Sequence, residues 1–228
     1  MIFRFKKKIW YSINLIRDGK LKEVWQALTR RLYSEELAFG FKRDLSIKIH
    51  KPRSLAKVII REGTSEDEKY FSEDSNDGRI KNFQTCYVAI NYDKIPCFRT
   101  WLIDASQNEK LKKAWGNNFP QLKKDEILLE KVFTIPKYRG MGILPIALYE
   151  ISEKGLKLGA KYAICFGAVM NKNTSCSFCF AGFEPYILRK VRWFLFIKFT
   201  SYQEIPVNLL TDYKIYTQRY LPIKMENH

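Results

Sequence analysis

Leu128-Leu129-Glu130-Lys131-Val132-Phe133-Thr134-Ile135, followed by Pro136-Lys137-Tyr138-Arg139-Gly140-Met141-Gly142-Ile143-Leu144-Pro145, is the stretch on which the reading of this chain turns. Its first half is rich in β-branched and aromatic residues and predicts a buried strand. Pro136 stops the strand, because proline cannot donate to a ladder. Glycines at 140 and 142 permit a tight turn in which several backbone N–H groups face one point. Pro145 suits the first turn of a helix. Ile146, Leu148, Ile151, Leu156 and Leu158 continue that helix, and Gly159 ends it. A strand, a glycine turn and a helix N-terminus make an anion site, since unpaired N–H groups and the helix dipole both favour negative charge. A bare structural turn is the alternative. The P-loop is excluded, because no Lys-Ser or Lys-Thr follows the glycines, and the three-glycine dinucleotide fingerprint is incomplete.

A second buried strand is predicted over Tyr162–Met170. It runs into Asn171-Lys172-Asn173-Thr174, a helix-start signal, and a short apolar helix passes Phe178 to Ala181 before Gly182-Phe183. Taken together, Val132 to Thr134, Pro136 to Ile143, Asn171, Thr174 and Gly182-Phe183 resemble the GNAT superfamily of acyl-CoA N-acyltransferases. The first group is similar to the family's strand and Arg-Gly-x-Gly pyrophosphate loop. The second is similar to its Asn-x-x-Ser-x-x-x-Tyr-x-x-x-Gly-Phe helix motif. Leu144 stands where the family usually has Gly or Ala, and Phe178 where many members have a Tyr that can act as general acid.

The resemblance implies an α+β fold with a mixed, mostly antiparallel sheet, a central splayed parallel strand pair and helices on both faces. It places an acyltransferase domain at 55–202. An N-terminal amphipathic helical extension and connector is expected at 1–54, and a C-terminal tail packed on the domain at 203–228. It also implies acetyl-CoA or another acyl-CoA as co-substrate, no metal, and a small-molecule primary amine as acceptor. The cofactor-binding residues carried over are Phe133, Thr134, Ile135, Arg139, Gly140, Met141, Gly142, Ile143, Leu144, Asn171, Thr174 and Phe178. Pyrophosphate would rest on the amides of 139–144, and a backbone N–H near Thr134 would polarise the thioester carbonyl. Arg139 would add a charge-assisted contact to phosphate, or salt-bridge a carboxylate. Asn171 and Thr174 would touch the cofactor or only cap their helix.

Acyl transfer needs the amine deprotonated beside the thioester. Glu130 is the candidate catalytic base: it shares the alternation of Val132 and Thr134 on the strand and sits among apolar neighbours. An exposed or ion-paired strand residue is the competing reading. Phe178 cannot donate a proton. Either the thiolate leaves without an acid, or Cys176, Ser177, Cys179 or a water serves, or this copy does not catalyse.

The formal charge is +16, from 40 Lys and Arg against 24 Asp and Glu. It predicts acidic partners: CoA phosphates, an anionic membrane surface or nucleic acid. No nucleic-acid motif is present. The five cysteines, Cys86, Cys97, Cys165, Cys176 and Cys179, follow no disulfide framework, which points to reduced thiols and a cytoplasmic setting. His50 and His228 are the only histidines, so the Cys176-x-x-Cys179 pair does not read as a zinc site. No apolar run reaches the roughly 18 residues of a membrane span, and a secretory signal is not expected.

Residues 1–34 read as helix. Ile2, Phe5, Ile9, Ile13 and Ile16 form one stripe beside Arg4, Lys6, Lys7, Lys8 and Arg17, and Leu21, Val24, Leu28 and Leu32 form a second. Residues 1–18 could lie on a membrane, pack on their own domain, or pair with a second subunit as a homodimer. Residues 35–55 read as a connector with a short strand at Leu45–Ile49. Strands are expected at 57–61, 86–90, 97–103, 186–190 and 192–200, with 105–124 irregular and a strand or short helix near 213–220.

The functional expectation is a single-step acyl-CoA-dependent N-acyltransferase, an N-acetyltransferase by preference. An amino sugar of cell-envelope polysaccharide is the acceptor that the analogy offers. The rivals are a non-catalytic acyl-CoA-binding or interaction module, and a basic membrane-surface protein on the same fold.

Overall fold

The computed structural model describes residues 21–72, 83 and 85–222. The expected helix over 1–18 and its membrane or subunit contacts therefore lie outside the described residues. The chain divides into two compact units. The larger comprises Ala38–Leu188 and Gln203–His228, the smaller Met1–Leu37 and Arg189–Tyr202.

The strands are β1 (Tyr33–Asp44), β2 (Ile59–Glu62), β3 (Cys86–Ile90), β4 (Pro96–Asp104), β5 (Glu126–Thr134), β6 (Tyr162–Ala168), β7 (Glu184–Phe194) and β8 (Ile197–Gln203). The helices are α1 (Leu21–Leu32), α2 (Asn108–Trp115), α3 (Ile143–Lys157), α4 (Lys172–Phe180) and α5 (Val207–Thr217). In the larger unit the strand order is β2-β3-β4-β5-β6-β1-β7. β2 through β5 pair antiparallel, β6 pairs antiparallel with β1, and β5 with β6 is parallel. This is the expected mixed sheet.

Ile127 and Leu128 point to opposite faces of β5, and each face receives its own helix. Ile127 packs under Gly155 of α3, where a Cβ would come within 2.2 Å of the Ile127 side chain. Leu128 joins Trp101, Ile103, Leu111, Trp115 and Phe119 in a core cluster that α2 covers. Residues 105–124 are thus not irregular: Leu111 and Trp115 of α2 are buried, one turn apart.

The largest departure from the sequence reading is β1. The stretch read as a connector is a strand hydrogen-bonded along β6 from Ala38↔Ala168 to Asp44↔Tyr162. Ala38-Phe39-Gly40-Phe41 is buried throughout, so no polar alternation could announce it. Gly40 has no room for a side chain, since a Cβ would meet Ile187 at 2.6 Å and Phe166 at 2.9 Å. The boundary expected at 54/55 therefore does not coincide with the division into units. The described part of the C-terminal tail, to residue 222, carries the helix α5, whose buried Tyr213 packs against Phe39 and Phe41.

In the smaller unit, Glu35 pairs with Lys190 at 2.7 Å and Arg192 at 3.6 Å. The β7–β8 turn falls at Leu195-Phe196 rather than near residue 191. Both residues have positive φ, 46° and 66°. Such a two-residue turn normally takes Asn-Gly, and bulky side chains there cost about 1–2 kcal/mol each. The turn is held in place by α1: Leu195 N–H donates to Leu32 O (2.9 Å) and Phe196 N–H to Arg31 O (2.8 Å). Those carbonyls belong to the end of the helix and have no intrahelical donor.

Arg43 of β1 is 2% exposed. Its guanidinium donates to Glu153 at 2.6 Å, lies over the Tyr149 ring at 4.5 Å and reaches Tyr149 O at 3.4 Å, all on α3. Glu153→Gln would leave that cation without its counter-charge. Because Glu153 is partly solvated, the expected loss is about 1–3 kcal/mol, below the usual range for a fully buried pair. Urea denaturation measures it, and Arg43→Met with Glu153→Leu should recover much of the loss.

Candidate active site

β5 and β6 stay paired only over Glu126↔Tyr162, Ile127↔Ala163 and Leu128↔Ile164. Past that point β5 follows β4 as far as Thr134, while β6 follows β1 as far as Ala168. The sheet forks there, and side chains on β5 change from buried to half-buried after Leu129. The fork opens into a cleft of ≈1160 Å³. That exceeds the roughly 300–1,000 Å³ of ordinary small-ligand pockets and suits an extended ligand.

A bulge lies on the β5 arm. Arg99 faces Phe133 and Trp101 faces Glu130, so two β5 residues, Lys131 and Val132, stand opposite Thr100 alone. Lys131 adopts φ 57°, and Thr100 Oγ1 donates to Glu130 O at 2.9 Å. Bulges of this kind re-aim a strand beside a site. The bulge also corrects the alternation argument for Glu130. Residues opposite Arg99 and Trp101 share a face, so Glu130 is in phase with Phe133 rather than with Val132 and Thr134. Glu130 still lines the cleft.

Across the mouth of the fork runs the glycine loop. Pro136–Tyr138 is one 3₁₀ turn closed by Tyr138 N–H to Ile135 O and Arg139 N–H to Pro136 O. Gly140 and Gly142 have φ of 78° and 75°, and α3 starts at Ile143 without a side-chain cap. Among the described residues, the amides of Gly140, Gly142, Ile143 and Leu144 meet no protein acceptor. These are the unsatisfied donors of a helix start, and they border the cleft. Residues 53–55 brace the loop from behind: Leu55 N–H and Ser54 Oγ both donate to Met141 O, at 2.9 and 2.8 Å. A Cβ on Gly142 would lie 2.8 Å from Arg53 O, so glycine is required there by packing as well as by φ.

Of the residues expected to bind cofactor, Phe133, Thr134, Arg139, Gly140, Gly142, Ile143, Leu144, Asn171, Thr174 and Phe178 line the cleft. Ile135 and Met141 do not. Ile135 N–H is spent on Cys97 O, and Met141 serves the brace through its carbonyl. Arg139 Nε donates to Thr134 O at 3.1 Å, so the guanidinium is anchored to the β5 terminus rather than to a carboxylate. Asn171 accepts from Thr174 N–H at 3.1 Å, which makes it the cap of α4. Phe178 is buried against Phe41, ring centroids 5.1 Å apart, with its edge at Gly167.

Among the alternative donors, Cys176 and Ser177 line the cleft and Cys179 does not. Burial pushes the Cys165, Cys176 and Cys179 thiols up, which keeps them protonated at neutral pH. Sequence reasoning missed Tyr138, Arg219 and Tyr220, which also border the cleft. The last two arrive on the 3₁₀ turn after α5, 40 residues beyond α4, and no local pattern marks them. Among the described residues no His, Cys, Asp or Glu cluster could hold a metal, and no helix is long and apolar enough to cross a membrane.

No protein-family model and no curated protein sequence matches the chain. Solved structures do. A GNAT-family acetyltransferase from Colwellia psychrerythraea matches with TM-score 0.50 at 12% identity, over 74% of this chain and 60% of that one. A glucosamine N-acetyltransferase region of a fungal multi-domain β-N-acetylglucosaminidase matches with TM-score 0.50 at 10% identity, over 78% of this chain and 23% of that one. A Drosophila protein matches with TM-score 0.50 at 13% identity, over 78% and 58%. The chain thus spans less than two thirds of the length of each of these. At such identity the likeness is one of fold, and the fold is that of the GNAT acetyltransferases.

Leu144→Glu probes the loop without disturbing Gly142. A carboxylate in the first turn of α3 favours the helix by about 0.3–1 kcal/mol but repels an anion at the same amides. If these amides hold a diphosphate, the expected result is an unchanged or raised melting temperature together with at least roughly tenfold weaker binding of CoA, added as the probe, by calorimetry.

Proposed function

We propose that the cleft binds an acyl-CoA and that the protein transfers the acyl group, acetyl by preference, to a primary amine. One observation carries this reading: acceptor-free amides of the glycine loop and of the α3 start border a cleft opened by the β5–β6 fork. A diphosphate satisfies those amides and meets the positive end of the helix. The pantetheine arm, itself strand-like and rich in amides, extends the β5 edge into the fork. Phe133 and Phe178 supply apolar walls, and Arg139 adds positive charge at the entrance.

Glu130 is the proposed base. It takes the proton of the ammonium acceptor, directly or through water, as the amine nitrogen attacks the thioester carbonyl. The tetrahedral intermediate then collapses, the C–S bond breaks and CoA leaves as thiolate, and the second proton of the former ammonium passes to that thiolate or to water. A thiol pKa of about 8.5 makes that departure possible without an acid, which suits the absence of a hydroxyl on Phe178. The transfer is direct: the cleft thiol of Cys176 is held protonated by burial and is a poor nucleophile. An amino sugar, such as the glucosamine named for the fungal neighbour, is the acceptor class to assay first.

The second reading is a module that binds acyl-CoA without turnover, favoured by Phe178 standing ring-to-ring with Phe41 where a proton donor would be expected. Thermal denaturation and a thiol-release assay with an amine panel separate the two. Acetyl-CoA at about 100 times its dissociation constant should stabilise by about 2.7 kcal/mol, a rise of roughly 5–10 °C for a chain of this size. No shift with any acyl-CoA overturns both readings, whereas a shift with no thiol release leaves only the module.

If catalysis occurs, Glu130→Gln should lower kcat/KM by about 10²–10⁴ and keep the acetyl-CoA shift. Cys176→Ser should keep most of the activity. A trapped acyl-enzyme on that thiol would refute direct transfer.

A further inference from the structure

Among its described residues, the smaller unit exposes apolar side chains on the β7–β8 turn and on α1. At the β7–β8 turn, Phe194, Leu195, Phe196, Ile197 and Phe199 are all more than half exposed, Leu195 at 59%. Leu195 and Phe196 occupy the two left-handed positions that Asn-Gly would fill without strain. A strained turn made of the least soluble residues points to a role for those side chains outside the fold.

The tip does not stand alone. Its two amides are bonded to the last carbonyls of α1. On that helix Leu21, Trp25, Leu28 and Leu32 recur at steps of four, three and four, forming one stripe, and all four are exposed, Trp25 at 68%. Turn and helix end are thereby locked into one apolar edge. Its charge is net basic: Arg189, Lys190, Arg192 and Lys198 are the only charged residues between 189 and 202, and Lys22, Arg30 and Arg31 on α1 stand against Glu23, while Glu35 pairs with Lys190 and Arg192 and Glu36 with Arg30.

We infer that this edge is a docking surface for an anionic lipid bilayer, with the β7–β8 turn as the inserted tip. A bilayer offers hydrocarbon to Leu195, Phe196 and Trp25 and negative headgroups to the surrounding Lys and Arg, which is the pairing this edge presents. A second copy of the chain fits worse, because a twofold contact brings two basic strips together. Nucleic acid would match the charge and stack on the phenylalanines, but it leaves Leu195, Ile197 and the α1 leucines in water. The inference is independent of the acyl-CoA reading.

The test uses the full-length chain and co-sedimentation with vesicles of phosphatidylcholine alone or with about one third phosphatidylglycerol. The wild type should bind the anionic vesicles, bind them less as salt rises, and leave pure phosphatidylcholine vesicles largely unbound. Leu195→Asn with Phe196→Gly installs the preferred turn residues. It should hold or raise the melting temperature while weakening vesicle binding roughly tenfold or more. Trp25→Gln should weaken binding as well. Unchanged vesicle binding in both variants overturns the inference and moves any lipid contact to residues 1–18. Equal binding to neutral vesicles overturns the charge argument. A loss of self-association in sedimentation velocity without a loss of lipid binding makes the occupant a second copy instead.

Discussion

Three residue pairs decide this molecule. β5 and β6 are parallel neighbours from Glu126 to Leu128 and then part. Each keeps its other partner, so the sheet does not end but forks, and backbone that would face a neighbouring strand faces a cleft instead. Everything assigned to the site hangs on that divergence: the bulge at Lys131 on one arm, Gly167 and Phe178 on the other, and the glycine loop across the mouth. A parallel pair can separate in this way because the α3 crossover, not a tight turn, joins its strands.

Local sequence announced the loop well and its surroundings poorly. Pro136, Gly140, Gly142 and Pro145 carry conformational information in themselves, as φ restrictions or freedoms, so strand end, turn and helix start could be read residue by residue. β1 carries none. Phe39 and Phe41 are buried in the helix-facing core, Arg43 is buried and paired with the partly solvated Glu153, and Gly40 is fixed by Ile187 and Phe166 far along the chain. A strand covered on both faces loses its period of two, and with it the usual signal.

The bulge shows a subtler limit. Alternation placed Glu130 in phase with Val132, and the extra residue between Phe133 and Glu130 reversed that phase. Bulges depend on how a partner strand is registered, here through Thr100, and no stretch of β5 alone reveals one. Arg219 and Tyr220 belong to the same class: their place at the cleft follows from where Tyr213 anchors α5 on Phe39 and Phe41. The β7–β8 turn is the opposite case. The sequence reading ran a strand through Leu195-Phe196, and the chain turns there nonetheless, with both amides accepted by the end of α1.

Arg43 and Gly155 give α3 a double attachment with a mechanical meaning. Through Arg43 the helix is fastened to β1 in one arm of the fork, and through Gly155 it rests on Ile127 in the other. A single stiff rod thus spans both arms near their root and works as a tie-beam. Opening or closing the arms like a book would shear the half-buried Arg43–Glu153 pair or unseat a helix from its groove. The slot is therefore expected to keep one width whether filled or vacant, so that a ligand threads into a frame already set instead of moulding it.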